Sequence, residues 1–233
     1  MKKFLIFTLC LSLILAFSAS SQETGFSRYG KNAGTMPFSL AGRHSLSASL
    51  GLVMEKNGTP GATPEAFSAN SGVNNFAGLM RYHYWYRRDW AVNVAVGLLS
   101  SDGNAFYTGR QATSQNGSVF ALLMGLRYQP ESWAIGSKMR PYLSVEAGPI
   151  VGYGTNSDAK LFTSGSSTFY ESAVGTHLGG GMDWFFGQSL YAGFNGGYYL
   201  MTDFKRSIAG RKNYSNPDFG LTFGFLFGGH SGK

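Results

Sequence analysis

The last alternating segment of the chain, residues 218–227, constrains the fold more than any other stretch. Large apolar side chains occupy every second position, and mostly small or weakly polar groups lie between them. An extended strand places alternate side chains on opposite faces. One face is therefore strongly apolar and consists of Phe219, Leu221, Phe223, Phe225 and Phe227. Such a face can pack against a second sheet in a soluble sandwich or against lipid in an outer-membrane barrel.

The N-terminus has the three parts of a secretory signal peptide. Two lysines follow Met1, residues 4–17 are almost wholly apolar, and small residues occupy positions 18–21. This order predicts a signal peptide at residues 1–21, because the apolar run is short for a membrane-spanning helix. Cys10 is the only cysteine and lies in this segment. The exported chain is therefore predicted to have no disulfide, thiolate nucleophile or cysteine metal site.

The composition favours a β-structure with a wide non-aqueous surface. Charged residues make up only 13% of the chain, aromatic residues make up 15%, and there are 33 glycines. This balance is unusual for a soluble helical enzyme and typical of β-barrels. The formal net charge of +7 does not indicate a nucleic-acid partner, which an exported protein would seldom meet.

Eight segments with a period of two follow an irregular lead-in at residues 22–42. We predict strands at about 44–55, 75–87, 90–98, 120–128, 141–153, 172–186, 190–200 and 218–227. Four long connections, rich in Gly, Ser, Thr and Asn, are predicted at 56–74, 101–117, 154–171 and 203–217. The short connections are 88–89, 130–140 and 187–189. Pro149 is predicted to mark a bulge or a strand end.

Three regularities favour lipid as the partner of the apolar faces. Long and short connections alternate, as they do in barrels with long external loops and short periplasmic turns. The segments are about 9 to 14 residues long, enough for a tilted strand to cross a bilayer, whereas most soluble strands are shorter. Aromatic residues gather near both segment ends, which matches the two membrane interfaces. They are Tyr84, Tyr86, Trp90, Tyr128, Trp184 and Phe186 at one end, and Phe106, Tyr107, Tyr153 and Tyr198 at the other.

With these features, residues 43–228 resemble the small outer-membrane β-barrel family of the OmpA and OmpX type. Asp218, Gly220, Phe223 and Phe225 are similar to the C-terminal assembly signal of that family. The resemblance implies an all-β fold, an eight-stranded antiparallel up-and-down transmembrane β-barrel. It also implies recognition by the barrel-assembly machinery during biogenesis and an outer-membrane location in a Gram-negative-type bacterium. Residues 229–233 extend past the signal as a short tail.

The inward faces of the predicted barrel carry charged and polar side chains. Eight strands leave an interior that side chains can just fill, and charges in so narrow a lumen must be paired. We predict an ion-pair and hydrogen-bond network among Arg127, Glu146, Tyr142 and His177. The full set of predicted lumen residues is Arg81, Arg127, Tyr142, Glu146, His177 and Asp183. The network either plugs the lumen or lines a narrow polar path.

Catalysis on lipid A is the alternative from another function class. Some barrels of this size use a Ser/His pair with an acidic partner at the membrane surface. His44 and Ser45 are adjacent, so they face opposite sides of a strand and cannot form such a pair. Four scattered histidines and a single early cysteine lead us to predict no catalytic residue, no metal site and no cofactor.

The connection at 203–217 carries a cluster of basic residues. These are Lys205, Arg206, Arg211 and Lys212. They can pair with lipopolysaccharide phosphates or form a merely solvated loop.

The sequence thus predicts a non-enzymatic outer-membrane barrel with a filled lumen, both termini in the periplasm and four exposed loops. Its predicted role is membrane integrity, adhesion or surface recognition. A narrow channel or carrier for small or hydrophobic solutes is the first alternative, and lipid A modification is the second. The predicted partners are outer-membrane lipids and lipopolysaccharide, and no nucleic acid is expected.

Overall fold

The computed structural model describes residues 39–53, 67–70, 76–108, 111–160, 163–209 and 211–228. The predicted signal peptide at 1–21, the lead-in up to residue 38 and the tail at 229–233 lie outside these ranges. Within them, no helix is long and apolar enough to cross a membrane.

The described chain contains nine strands and one short 3₁₀ helix at Glu131–Trp133. The strands are β1 (Arg43–Val53), β2 (Phe67–Asn70), β3 (Phe76–Tyr84), β4 (Trp90–Thr108), β5 (Gln111–Tyr128), β6 (Met139–Lys160), β7 (Thr163–Phe186), β8 (Leu190–Met201) and β9 (Pro217–Gly228).

Eight of these strands form a closed antiparallel barrel. Each pairs with its neighbours in the order β1, β3, β4, β5, β6, β7, β8 and β9, and β9 pairs again with β1. We call the eight strands of the barrel wall staves. Strand β2 is not one of them, because it pairs with the far end of β4, in line with β3. The predicted eight-stranded up-and-down architecture is therefore confirmed, with every barrel strand hydrogen-bonded on both sides.

The period-two alternation of the sequence divides the side chains of each strand between the lumen and the outer surface of the barrel. On β1, for example, Ser45, Ser47 and Ser49 are buried in the lumen, while Leu46 and Leu50 are exposed on the outer surface. Each of the eight staves contributes a large exposed apolar side chain to this outer surface. One from each stave is Leu50, Met80, Val96, Phe120, Leu143, Leu178, Phe194 and Phe223. The outer surface is therefore a continuous apolar belt, far larger than the patches that soluble monomers expose.

The barrel has two different ends. At the turn end, short connections at residues 85–89, 129–138 and 187–189 join β3 to β4, β5 to β6 and β7 to β8. At the hairpin end, β4 and β5 remain paired up to Thr108 and Gln111, and β6 and β7 up to Lys160 and Thr163. β5 also pairs with β6 as far as Ala112 and Ala159, so these four strands form one extended sheet.

This extension corrects the predicted loops at 101–117 and 154–171. Most of these residues are paired strand, and the apparent turn signal Asp102-Gly103 lies opposite Asn116 and Gly117 in the β4–β5 ladder. Sequence patterning missed the strands because many of these positions are Gly, Ser, Thr or Asn, which leaves no period-two contrast between apolar and polar residues. Part of the predicted loop at 56–74 is also strand, namely β2.

Pro149 does not end its strand, so that prediction was wrong. β6 continues through Pro149 to Lys160. The β5–β6 pairing is interrupted between Ala121–Ile150 and Met124–Ala147, but the register is the same on both sides. Proline has no N–H to donate to the ladder. Backbone pairs between β5 and β6 are therefore lost locally, but neither strand contains the extra residue of a bulge. The bulge of the described barrel lies elsewhere, between Leu98 and Ser100 of β4.

Aromatic side chains lie at both margins of the belt. At the turn end, the ring centroids of Trp90 and Tyr128 are 4.5 Å apart, and Trp184 stacks on Phe186. Toward the hairpin end, the rings of Tyr153 and Tyr170 are 5.3 Å apart. Aromatic side chains prefer the two interfaces of a bilayer, so their placement agrees with the spacing predicted from the sequence.

Candidate functional site

The candidate site is the lumen and its mouth at the hairpin end. Because side chains alternate along a strand, every second residue of each stave projects inward, where eight strands leave room only for side chains. The lumen contents form three layers: an apolar layer at the turn end, a charged layer in the middle and an apolar layer at the hairpin end.

The middle layer contains a salt bridge that spans the lumen. Arg81 Nε on β3 lies 3.0 Å from Glu146 Oε1 on β6, although two strands separate β3 from β6 around the wall. Asn93 Nδ2 donates to the same carboxylate oxygen at 2.6 Å, and Arg81 Nη1 donates to Ser49 Oγ at 3.1 Å. The contact ties opposite sides of the barrel together and blocks the bore.

His177 extends this cluster toward the hairpin end. Its Nε2 atom lies 3.0 Å from Asp218 Oδ1 on β9. Its Nδ1 atom is 3.3 Å from Glu146 Oε2, but these two atoms are not aligned for a hydrogen bond. We therefore treat the His177–Glu146 contact as a charge interaction, and the Asp218 contact as the hydrogen bond that orients the imidazole.

A second charged cluster lies nearer the turn end. Arg127 on β5 pairs with Asp183 on β7, and the guanidinium carbon of Arg127 lies 3.5 Å from the centroid of the Tyr142 ring. Gln129 Nε2 donates to the Asp183 carboxylate at 3.2 Å. Arg140 donates to the carbonyl of Gln129. An isolated buried charge is costly, so these partners are required for either ion to remain in the lumen.

An apolar layer closes the turn end of the lumen. We call it the lower plug, and it consists of Leu40, Trp85, Ala91, Phe185, Tyr191 and Leu226. Leu40 precedes β1, and Gly42, two residues later, donates its N–H to the carbonyl of Trp85. The chain before the first strand thus contributes to the closure.

The connection between β8 and β9 closes the hairpin end. We call residues 202–216 the closing loop, and it buries Phe204, Ile208 and Tyr214 in the barrel mouth. They pack there with residues of the wall such as Leu99 and Ile150. The full cluster, called the upper plug, consists of Leu79, Ala95, Leu99, Val119, Ala121, Leu123, Ile150, Ala173, Tyr199, Phe204, Ile208 and Tyr214.

Two glycines make room for the closing loop. A Cβ atom at Gly117 would lie 2.5 Å from Ile208 Cγ2, and one at Gly152 would lie 2.7 Å from Ile208 Cγ1. The loop is also held by its own bonds, since Ile208 N donates to the carbonyl of Arg211 at 2.7 Å. Tyr214 Oη donates to the carbonyl of Ile208 at 2.6 Å. The wall and loop are therefore complementary in shape at this point.

Very little empty space remains between the plugs. The central cavity is about 10 Å³ and is lined by Arg81, His83, Arg127, Glu146 and His177 among others. A single buried water needs a cavity of at least about 10–15 Å³. In the part of the chain that the structure describes, the lumen therefore offers no continuous water-filled path.

The structure places all six predicted lumen residues inside the barrel and divides the predicted network into two clusters, with Arg127 beside Tyr142 in one and Glu146 beside His177 in the other. Arg127 and Glu146 belong to separate clusters: Arg127 binds Asp183, and Glu146 binds Arg81. Period-two patterning identifies which side chains face inward, but only the height along the barrel, set by register, determines which of them meet.

The four predicted basic residues all lie on the closing loop. Arg206 and Lys212 line a common cavity at the hairpin end. The guanidinium of Arg211 lies 5.7 Å from the Tyr214 ring centroid, and Lys205 is exposed. Their contact with lipopolysaccharide stays a prediction.

The residues similar to the assembly signal occupy both faces of β9. Phe223 and Phe225 are exposed on the outer belt. Asp218 points inward to His177. A Cβ atom at Gly220 would lie 2.8 Å from the carbonyl oxygen of Leu50, so that position needs glycine for close packing of β9 on β1.

Sequence reasoning missed a serine and histidine pair in the lumen. Ser45 Oγ lies 3.2 Å from His83 Nδ1, while His44 projects outward to the hydroxyl of Tyr82. Ser45 and His83 are each only 1% exposed. The Nε2 atom of His83 has no hydrogen-bond partner among the described residues. The pair resembles part of a catalytic triad in residue type, but it is enclosed by the barrel wall and is not open to lipid.

Metal ligands are not gathered in the described part of the chain, where no group of three or more His, Cys, Asp or Glu side chains could hold an ion.

Sequence reasoning also missed the upper plug residues Phe204, Ile208 and Tyr214, although the sequence contains a signal for them. They are large apolar side chains within a basic, glycine-containing connection. Such residues are costly to leave in water.

No protein-family model matches this sequence, and no curated protein matches it either. Among solved structures, the chain is similar to Ail, the attachment invasion locus protein of Yersinia pestis. The identity is 14%, the match covers 80% of this chain and 99% of that one, and the TM-score is 0.42.

Two further similar structures come from other bacteria. Neisserial surface protein A is 11% identical, with 81% of this chain and 98% of that chain covered and a TM-score of 0.41. The outer membrane protein OprG from Pseudomonas aeruginosa is 14% identical, with 81% and 97% covered and a TM-score of 0.42. Likeness at this level says nothing about activity. The predicted resemblance to small outer-membrane barrels is confirmed at the level of the fold, by the strand pairing of the chain itself.

Proposed function

We propose that this protein is an integral outer-membrane barrel that does not conduct solutes and that acts through the surface it presents at the hairpin end. The apolar belt supports the membrane location, because every stave contributes to it and aromatic side chains lie at both margins. Closed barrels are the form in which strands can cross a bilayer, since they leave no unpaired backbone edge. Lipids of the outer membrane are then the partners of the belt.

The assembly of such a barrel needs a targeting feature at its last strand. The spacing of Asp218, Gly220, Phe223 and Phe225 supports recognition by the barrel-assembly machinery. The outward position of the two phenylalanines, before the barrel closes on β1, leaves them available to that machinery.

The observation that carries the non-conducting role is the three-layered filling of the lumen. A porin-like path would require water from end to end, whereas the lower plug, the salt bridge between Arg81 and Glu146, and the upper plug each cross the bore. Neither the channel nor the carrier alternative has a specific structural observation in its favour.

The extended sheet supports a role in surface recognition. Strands β4 to β7 have 19, 18, 22 and 24 residues, whereas about 9–11 residues suffice to cross a bilayer. The excess of roughly ten residues per strand, at about 3.3 Å each, extends the sheet by about 30 Å along the strand direction. A rigid, paired platform of this length is a suitable surface for adhesion or binding.

Conductance of the purified protein in planar bilayers tests the sealed lumen. We expect no steady single-channel current at moderate voltage, because displacing the buried charges and both plugs is costly. A change in electrophoretic mobility on heating would show in parallel that the protein is folded and inserted. Steady, large currents from folded protein would contradict the proposal and would favour the channel alternative. A change in lipid A acyl-chain number when the gene is expressed would contradict the non-enzymatic role.

A further inference from the structure

The hairpin end contains a second cavity, outside the sealed lumen. We call it the vestibule, and its volume is about 390 Å³. The inward face of the β6–β7 extension forms one wall with Asn156, Ser167 and Phe169, and the closing loop forms the other with Arg206 and Lys212. Small-molecule sites are usually about 300–1,000 Å³, so the vestibule has the size of a ligand site.

The upper plug separates the vestibule from the lumen. Phe169 lines the vestibule and also packs against the upper plug, and Ile208 of the closing loop lies within that plug. A molecule in the vestibule therefore remains on the outer side of the closure.

The backbone of the closing loop near its two vestibule cations is anchored before any ligand arrives. Ile208, which lies between Arg206 and Lys212 in sequence, is fully buried. Phe204 N donates to the carbonyl of Lys212 at 2.8 Å, which fixes the backbone near the second cation. Anchoring of this kind lowers the ordering cost of binding.

The guanidinium of Arg206 is available to a ligand. Its side chain is 72% exposed, and its nearest acidic contact is a long one, 3.9 Å from Arg206 Nε to Glu171 Oε1. A contact of that length at the surface is weak. Phosphate, sulfate or carboxylate oxygens can accept shorter, charge-assisted hydrogen bonds from the same donors.

The opposite wall offers neutral groups. The hydroxyl of Ser167 and the amide of Asn156 can each donate and accept hydrogen bonds, and Phe169 adds an apolar ring. A bare inorganic anion would leave the Phe169 ring without a partner, whereas a sugar has hydroxyls for the polar groups and C–H faces for the ring. The two walls together match an anionic saccharide.

We infer that the vestibule binds a saccharide that carries a phosphate or another anionic group. The inference rests on the proposed function, since it identifies a ligand class for the recognition surface. The saccharide can come from lipopolysaccharide of the same membrane or from a soluble or foreign glycan.

Isothermal titration of the folded protein in detergent micelles tests this inference, with glucose 6-phosphate, glucose and inorganic phosphate as probes at one fixed ionic strength. We expect glucose 6-phosphate to bind at least tenfold more tightly than either of the other probes. The double variant Arg206→Gln/Lys212→Gln should weaken its binding at least tenfold. The variant Ser167→Phe should do the same by filling the cavity without changing the charge.

The matched control is Arg87→Gln/Lys138→Gln. It removes the same charge from two exposed positions that do not line the vestibule, and we expect its affinity to stay within twofold of the unmodified protein. The mobility change on heating verifies the fold of every variant. Equal affinity for phosphate and glucose 6-phosphate would overturn the assignment to a saccharide, and unchanged binding by Arg206→Gln/Lys212→Gln would overturn the site.

A nanodisc comparison separates the two sources. If lipopolysaccharide of the same membrane is the occupant, nanodiscs that contain it should show weaker binding of glucose 6-phosphate than phospholipid nanodiscs. If the ligand is soluble or foreign, both should bind equally. These outcomes are independent of the conductance measurement, so a closed barrel without saccharide binding contradicts only the vestibule assignment.

Discussion

Replacing Glu146 with Gln is expected to lower the free energy of unfolding by about 3–5 kcal/mol. Glu146 is the shared anionic partner of Arg81 and His177. The amide keeps the volume of the side chain but removes its charge, so the Arg81 guanidinium stays in the lumen without its counterion. Breaking one partner of a buried pair costs far more than the intact pair contributes, because the remaining charge is uncompensated.

Denaturant unfolding from phospholipid vesicles, followed by tryptophan fluorescence, measures this change. The matched control is Glu131→Gln, which breaks the salt bridge with Arg88 outside the lumen. The Arg88 side chain is 63% exposed and the Glu131 side chain is 20% exposed. Surface pairs of this kind contribute about 0–1 kcal/mol. A loss for Glu146→Gln no larger than that of the control would show that the central salt bridge is not an essential part of the fold.

The second large effect is expected on the outer face of β9. Phe223 lies at the middle of the outward series that runs from Phe219 to Phe227, and it is 60% exposed. In a bilayer, Arg at this position is expected to cost about 2–4 kcal/mol, falling to about 0–1 kcal/mol near an interface. The position-matched comparison is Phe227→Arg, at the turn end of the same strand.

Each Arg variant is compared with Ala at the same position, so that the loss of the phenylalanine cancels. The measurement is again the free energy of unfolding from vesicles. If the difference between Arg and Ala were the same at Phe223 and Phe227, the cost would not depend on depth, and the outer face would not lie across a bilayer.

The face assignment could be predicted because it follows from period-two alternation alone. On β9, five large apolar side chains fall on one face, and their exposure on the barrel follows from that pattern. Closure into eight staves was predictable for a related reason: alternating connection lengths indicate an up-and-down path, and such a sheet must close to remove its edges.

The extent of the strands could not be predicted in the same way. Residues such as Ser114 and Ser157, which pair across β5 and β6, have polar side chains typical of a loop. Beyond the apolar belt, the lack of alternation between apolar and polar residues removes the contrast that makes a strand visible in sequence.

The pairing within the lumen and the fold of the closing loop depend on distances that no local pattern contains. Arg81 meets Glu146 across the bore because of strand register and barrel diameter together. Ile208 enters the mouth because Gly117 and Gly152 lie on other strands at the same height. Composition suggests that buried charges need partners, but the three-dimensional register selects them.

The central claim is that the apolar belt contacts lipid and the inward faces contact a sealed interior. Because no cysteine follows Cys10 in the sequence, single cysteines at the outward positions 219, 221, 223, 225 and 227 can carry a nitroxide spin label. Power-saturation electron paramagnetic resonance in vesicles then measures the accessibility of each label to oxygen, which concentrates in lipid, and to a water-soluble nickel reagent. The structure predicts that oxygen accessibility is greatest at position 223 and lower at positions 219 and 227, while the nickel reagent does not reach the label at position 223. High nickel accessibility at positions 221, 223 and 225 would show that the belt contacts water and would contradict the account.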